Sequence, residues 1–299
     1  MRRRDFFGVA AAIPGVAAAA RIDVASIKPR GAKKVDIVYK SPHARPNGLQ
    51  ATPEGLWVMD QGQANDCTLI NYADGKVIRD FQVAGVDAAS GITVDSSGQL
   101  WIASTHNSLI MTASAQDGKV TAKYWTHGAG RPYRLKGDPA ATRSPLTPAF
   151  PAPTPAAGGG RGRGGRGGGA ALPAGQLPLE TANGVSSLDG AQGMEFRDGL
   201  LYYSVLPSRS VYVVDPKTWE AQAIWPLAGN RAHGVGWDGD TLWVADTNWR
   251  AFFRHDMKTG AIVEKIQLTE KDPLIHGVTV HDGYMWFCDD VGYVCNFKL

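Results

Sequence analysis

Residues His233–Leu268 alternate apolar and polar positions in a way that predicts four short strands in succession. Gly234–Trp237 and Leu242–Asp246 are nearly continuous apolar runs. Ala251–Asp256 follows, and then Ala261–Leu268 sets Ile262, Val263, Ile266 and Leu268 against Glu264, Lys265 and Gln267. Turns fall at Asp238–Asp240 and Met257–Gly260. A continuous run suits a strand covered on both faces, and an alternating one suits a strand half exposed to water. Four antiparallel strands that begin buried and end at the surface make one propeller blade.

The same pattern recurs at Asn47–Val83, Ser90–Thr126 and Gln192–Leu227, and, cut to three strands, at His276–Leu299. The missing last strand has a counterpart in the lone alternating segment Lys34–Lys40. Its pairing with the final blade would close the ring and remove the open sheet edges. The expected fold is therefore all-β, a five-bladed propeller over residues 34–299. Each blade repeats an apolar-aromatic pair early in its second strand, namely Leu56-Trp57, Leu100-Trp101, Leu201-Tyr202, Leu242-Trp243 and Met285-Trp286. Five copies point to packing between blades, not to a ligand site.

One glycine marks each repeat, at 48, 91, 193, 234 and 277, with spacings of 43, 102, 41 and 43 residues. The long second spacing holds a Pro-, Gly- and Arg-rich stretch without strand periodicity. It is too poor in apolar surface to offset its ordering entropy, so residues 137–180 are expected to be a disordered insertion.

The N-terminus is of a different kind. Arg2–Arg4, Phe6-Phe7, a short apolar stretch and small residues near Ala17–Ala20 form an export leader over residues 1–20. It resembles a twin-arginine signal, which implies a periplasmic or secreted protein. The formal net charge is +3, and loss of the leader would bring it to about +1. With Arg161, Arg163 and Arg166 in the insertion, the propeller body carries no basic footprint for nucleic acid. No apolar run is long enough for a stable membrane anchor. A ring closed by its own N-terminal strand is expected to be a monomer that takes a small-molecule ligand or substrate.

The residue before each repeat glycine should line the mouth of the central channel. Those positions hold Asn47, Ser90, Gln192, His233 and His276, all polar. The second strands end at Asp60, Ser104, Val205, Asp246 and Asp289. Asn47, Asp60, Asp246, Asp289 and His276 could hold a divalent metal, with oxygen donors favouring Ca²⁺ or Mg²⁺ and imidazole favouring Zn²⁺ or Mn²⁺. His233 and His276 are the candidate catalytic acid–base groups. Gln192, Glu195, Asn248 and Trp249 are candidate substrate contacts. The competing structural account has the three Asp carboxylates accepting backbone hydrogen bonds in their turns and the two His capping inter-blade loops. Cys288 and Cys295 would face each other across a hairpin turning at Val291-Gly292 and could form a disulfide; two buried thiols are the alternative. Cys67 has no evident partner and reads as a buried thiol. No nucleophile elbow, phosphate loop or zinc-protease motif is present.

These repeats resemble the SMP-30/gluconolactonase and streptogramin (virginiamycin B) lyase propellers and related NHL-type or YVTN-type repeats. "RPNGL" at Arg45–Leu49 is similar to the gluconolactonase element whose Asn ligates a divalent metal, which would give Asn47 that role. "HGV" at His233 and His276 looks like the streptogramin-lyase pattern around Mg²⁺. The blade count and "GLWVMDQG" are also similar to plant-type glutaminyl cyclotransferases, with Asp60 where their catalytic Glu would stand. The resemblance implies a metal-dependent lactone or ester hydrolase or lyase. A non-catalytic propeller binding a small ligand or partner protein, and a cyclotransferase-like enzyme, remain open beside it.

Overall fold

The computed structural model describes residues 22–62, 64–129, 133–136, 176–177 and 190–299. The expected leader, and the expected insertion apart from residues 176–177, lie outside these residues. The described chain is a five-bladed β-propeller of antiparallel blades. Blade 1 comprises Pro46–Thr52, Gly55–Asp60, Asp66–Ile70 and Val77–Gln82. Blade 2 comprises Ala89–Val94, Leu100–Ser104, Leu109–Ala113 and Val120–Trp125, and blade 3 Ala191–Arg197, Leu200–Val205, Ser210–Asp215 and Glu220–Pro226. Blade 4 is Ala232–Asp238, Thr241–Asp246, Ala251–His255 and Ile262–Gln267. Blade 5 takes Val278–His281, Tyr284–Cys288 and Tyr293–Lys298 from the C-terminus, and Asp36–Lys40 from the N-terminus pairs antiparallel with its last strand. Two-residue strands extend two blades at their outer edges: Gln176–Leu177 on blade 2, and Arg134–Leu135, which runs parallel to Glu220–Ala221, on blade 3.

Burial follows the hydropathy pattern. The second strand of blade 1 is buried throughout, whereas its outer strand alternates between exposed and partly buried. The repeated aromatics sit between blades as expected, each in a cluster shared with the following blade. Trp57 packs with Ile92 and Leu100 of blade 2, and Trp101 with Met194 and Leu201 of blade 3. Tyr202 packs with Val235 and Leu242 of blade 4, and Trp243 with Val278 and Met285 of blade 5. Trp286 closes the circle against Leu49, Leu56 and Val58 of blade 1. Five such seams divide the core into inter-blade layers around one axis.

The hairpin carrying the two cysteines has a different register from the expected one. Cys288 pairs with Val294, and Phe287 with Cys295. Asp289 explains the shift: its Oδ1 accepts the N–H groups of Val291 at 3.1 Å and Tyr293 at 2.8 Å, which builds a longer turn than two residues. A one-residue slip sends the side chains to opposite faces. Cys288 lies in the seam with Trp286 and Leu49, Cys295 in the seam with Trp243 and Phe252, and both are free thiols. The disulfide reading is thereby corrected in favour of two buried thiols. Cys67 is likewise free and buried.

Candidate functional site at the channel mouth

Each inner strand of blades 1 to 4 is irregular at its mouth end. In blade 1 Pro46 pairs with Asp60 and Gly48 with Met59, so Asn47 is an extra residue with no partner. His233 is the extra residue between Ala232 and Gly234 in blade 4. The register shifts at the same place between Ala89 and Ile92 and between Ala191 and Met194. A bulge bends its strand and re-aims a side chain, which turns Asn47, Ser90, Gln192 and His233 toward the axis. The repeat glycines behind them bring the five inner strands into backbone contact. A Cβ at Gly277 would lie 2.6 Å from Gly48 Cα, and one at Gly193 would lie 2.6 Å from the Gly234 carbonyl carbon.

Above this constriction is a polar cavity of about 320 Å³, whose lining includes Gln192, His233 and His276 with Thr105, Arg231 and Asn248. The imidazoles of His233 and His276 are buried and their ring centres lie 4.4 Å apart. Each has its Nδ1 engaged. His276 Nδ1 is 2.9 Å from Asn47 Oδ1, while Asn47 Nδ2 donates to Ser90 Oγ at 3.3 Å. The amide oxygen can only accept, so His276 Nδ1 carries the proton. His233 Nδ1 is 2.7 Å from Thr247 Oγ1, whose own hydrogen goes to the Ile275 carbonyl. Thr247 therefore accepts from His233, and the same tautomer results. Both rings hold an unprotonated Nε2.

Burial keeps both rings neutral. It pushes the His276 pKa down to about 4, with Arg231 adding to the fall and Asp290 opposing it. It drives His233 well below its ordinary value, with His276 and Arg231 acting in the same direction. His276 Nε2 and Gln192 Oε1 are both buried without a hydrogen-bond partner. These two acceptors are left for a ligand that brings its own donors.

The carboxylates are differently placed. Asp60 accepts from Arg45 N and Gly62 N, both at 2.6 Å. Asp246 accepts from Arg231 N at 2.9 Å and Trp249 N at 3.0 Å. Asp289 shapes the blade 5 turn as described, and burial raises the pKa of both Asp246 and Asp289. Asp60 and Asp246 hold the loops that bring Gln61, Arg231 and Asn248 to the cavity rim, and Asp289 holds the blade 5 turn. Among the described residues no three His, Cys, Asp or Glu side chains converge on a point that could hold a metal ion. Asn47 Oδ1 is committed to His276, and Asp60, Asp246 and Asp289 to their loops, so of the expected metal ligands His276 alone keeps a buried donor atom, Nε2, without a partner.

Of the other candidates, Asn248 lines the cavity and donates to Asn230 Oδ1 at 3.0 Å. Trp249 is 45% exposed and does not line the cavity. Glu195 lies three residues beyond Gln192 on the same inner strand, past the glycine constriction. Mouth residues that escaped the sequence reading include Thr105, Thr247 and Arg231. The two threonines each follow a second-strand terminus, Ser104 and Asp246, and a comparison of blades one residue further along would have found them.

No protein-family model matches the chain, and neither does any curated protein. Solved structures do. The glutaminyl cyclase of Myxococcus xanthus is similar over 89% of this chain and 96% of its own, with 10% identity and a TM-score of 0.56. A streptogramin B lyase structure matches over 89% and 98% of the two chains, with 15% identity and a TM-score of 0.48. Virginiamycin B lyase from Staphylococcus aureus covers 89% and 99%, with 14% identity and a TM-score of 0.48. The streptogramin-lyase and glutaminyl-cyclase propellers anticipated from the repeats reappear here as neighbours in fold. At such identities the likeness speaks for architecture alone, and the two lyase matches carry no argument about the site.

Proposed function

We propose that the protein is an exported propeller enzyme that acts at its channel mouth on a small, polar, lactone- or ester-bearing molecule, as a hydrolase or lyase using general-base catalysis. The observation that carries this reading is the pair of imidazoles fixed in one tautomer, with unprotonated Nε2 atoms, beside a polar cavity. His276 is the base: Asn47 orients it as a second group orients the base in hydrolytic triads. Its Nε2 takes a proton from the substrate carbon or from an attacking water. Gln192 Oε1 orients the substrate through a donor, and Arg231 at the cavity wall favours the negative charge that develops as the proton leaves. No step uses a metal.

A base with a pKa of about 4 is available at every pH above about 5 but pulls weakly. The reading therefore favours a substrate whose proton is already acidified by a neighbouring carbonyl. The test is incubation with a panel of lactones, esters and N-terminal glutaminyl peptides, followed by mass spectrometry. Turnover is expected with an ester or lactone, flat in kcat/KM above about pH 5, and reduced about 10²–10⁴-fold in His276→Ala. Binding seen by thermal shift with no turnover across the panel would contradict catalysis and leave a ligand-binding propeller. Turnover of the glutaminyl peptides alone would assign a cyclotransferase.

A further inference from the structure

Below the glycine constriction the channel has a second polar layer, three residues along each inner strand from the mouth. It consists of Gln50, Thr93, Glu195 and Thr279, from blades 1, 2, 3 and 5, while blade 4 contributes the side-chain-free Gly236. All four polar residues are buried, and Glu195 keeps 5% exposure. Thr279 Oγ1 lies 3.5 Å from Glu195 Oε1 and accepts the N–H of Ala51 at 3.0 Å; Thr93 Oγ1 accepts the N–H of Phe196 at 2.9 Å. Gln50 Nε2 donates to the Ala51 carbonyl, and its Oε1 is buried without a partner. The groups acting on the Glu195 carboxyl are Gln50, Phe196 N, Thr279 and Thr93, and no cationic side chain figures among them.

The Glu195 carboxyl, the hydroxyls of Thr93 and Thr279 and the orphaned Gln50 Oε1 give the layer four oxygen-bearing groups without a countercharge. Oxygen donors of this kind suit hard cations, whereas the imidazoles above would suit borderline metals. We propose that this second channel layer is a binding site for a hard, oxygen-seeking cation, held by the Glu195 carboxylate, Gln50 Oε1 and the hydroxyls of Thr93 and Thr279. The bound ion supplies the positive charge that the layer lacks and ties four blades together at the axis.

The site is independent of the chemistry proposed for the mouth and is tested separately. Thermal unfolding is measured at about pH 8 in choline chloride with Na⁺, K⁺, Mg²⁺ or Ca²⁺ added at constant ionic strength. At least one of these ions should raise Tm by a few degrees in a saturable way, as expected for a ligand of the native state alone. The four arms identify which. Glu195→Gln should abolish the shift, and Gln50→Ala, which keeps the carboxylate, should weaken the apparent affinity about tenfold. The shift should persist in a His233→Ala/His276→Ala double variant. No saturable shift with any of the four, or an equal shift in Glu195→Gln, would overturn the proposal.

Discussion

Alanine at Gly277 is expected to prevent the propeller from closing. The added Cβ would lie 2.6 Å from both Gly48 Cα and Leu49 N and 2.7 Å from the Asn47 carbonyl oxygen. All three are backbone atoms, so no side chain can rotate away. The contact joins the last blade to the first, where the inner strand of blade 5 meets that of blade 1. Moving these strands apart would also open the seam of Trp286 with Leu49 and Val58, so overpacking and lost burial add. A loss of more than about 4 kcal/mol is expected, a large part of the stability of most domains. Gly199→Ala provides the contrast, since a Cβ there meets nothing within 4 Å and the backbone, at φ +78°, adds only local strain. Circular dichroism melts decide the matter. Gly277→Ala should lack a cooperative transition or melt far below the parent, and a Tm within a few degrees of it would show that the inner strands are not packed backbone to backbone.

The second large effect is acid sensitivity between pH 6.5 and 4. Burial drives the pKa of His127 down to about 3 and those of His255 and His276 to about 4, and places His233 well below its ordinary value. For each group the native state binds fewer protons than the unfolded chain, whose imidazoles titrate near 6.5. Stability from these groups is complete above about pH 6.5 and is lost as the pH falls toward the folded values. At 1.36 kcal/mol per unit, a fall from about 6.5 to about 4 makes His255 and His276 worth about 3 kcal/mol each, and His127, lowered to about 3, worth about 5 kcal/mol. Together they are comparable with the whole stability of a domain. Urea denaturation at pH 7, 6, 5 and 4.5 should show a steep decline, made shallower in His255→Phe, which keeps the stacking on Trp225 and removes the titration. A free energy of unfolding that does not change from pH 7 to 4.5 would mean that these imidazoles are charged or solvated in the native state.

The blade plan was legible because it is written five times. The alternation in Ile262–Gln267, the buried run in Thr241–Asp246 and the spare strand at Asp36–Lys40 each suffice to place an element, and the seam aromatics follow from their repetition. The geometry of the mouth was less legible, because it depends on backbone irregularities that hydropathy does not encode. Asn47 and His233 face the axis as bulge residues, and nothing in "PNG" or "AHG" marks an unpaired position. The carboxylates were ambiguous for another reason. An Asp at a strand end can serve a metal or a turn equally well until the neighbouring N–H groups are located, and for Asp60 and Asp246 those are the amides of Arg45, Gly62, Arg231 and Trp249. The cysteine hairpin turned on the same chemistry, since Asp289 drawing in Val291 N and Tyr293 N moved the register by one residue. Glu195 was assigned to the mouth because the sequence gives its strand but not the glycine constriction that separates the two polar layers.

The reading of the mouth stands or falls on where the protons of His233 and His276 reside. Nitrogen-15 spectra of the imidazole rings at pH 7, assigned with His233→Gln and His276→Gln variants, report this directly. Both rings should be neutral, protonated at Nδ1 and bare at Nε2, and should stay so down to about pH 5. An imidazolium at pH 7, or a proton on Nε2 of His276, would contradict the account, because the cavity would then offer a donor where the proposed chemistry requires a base.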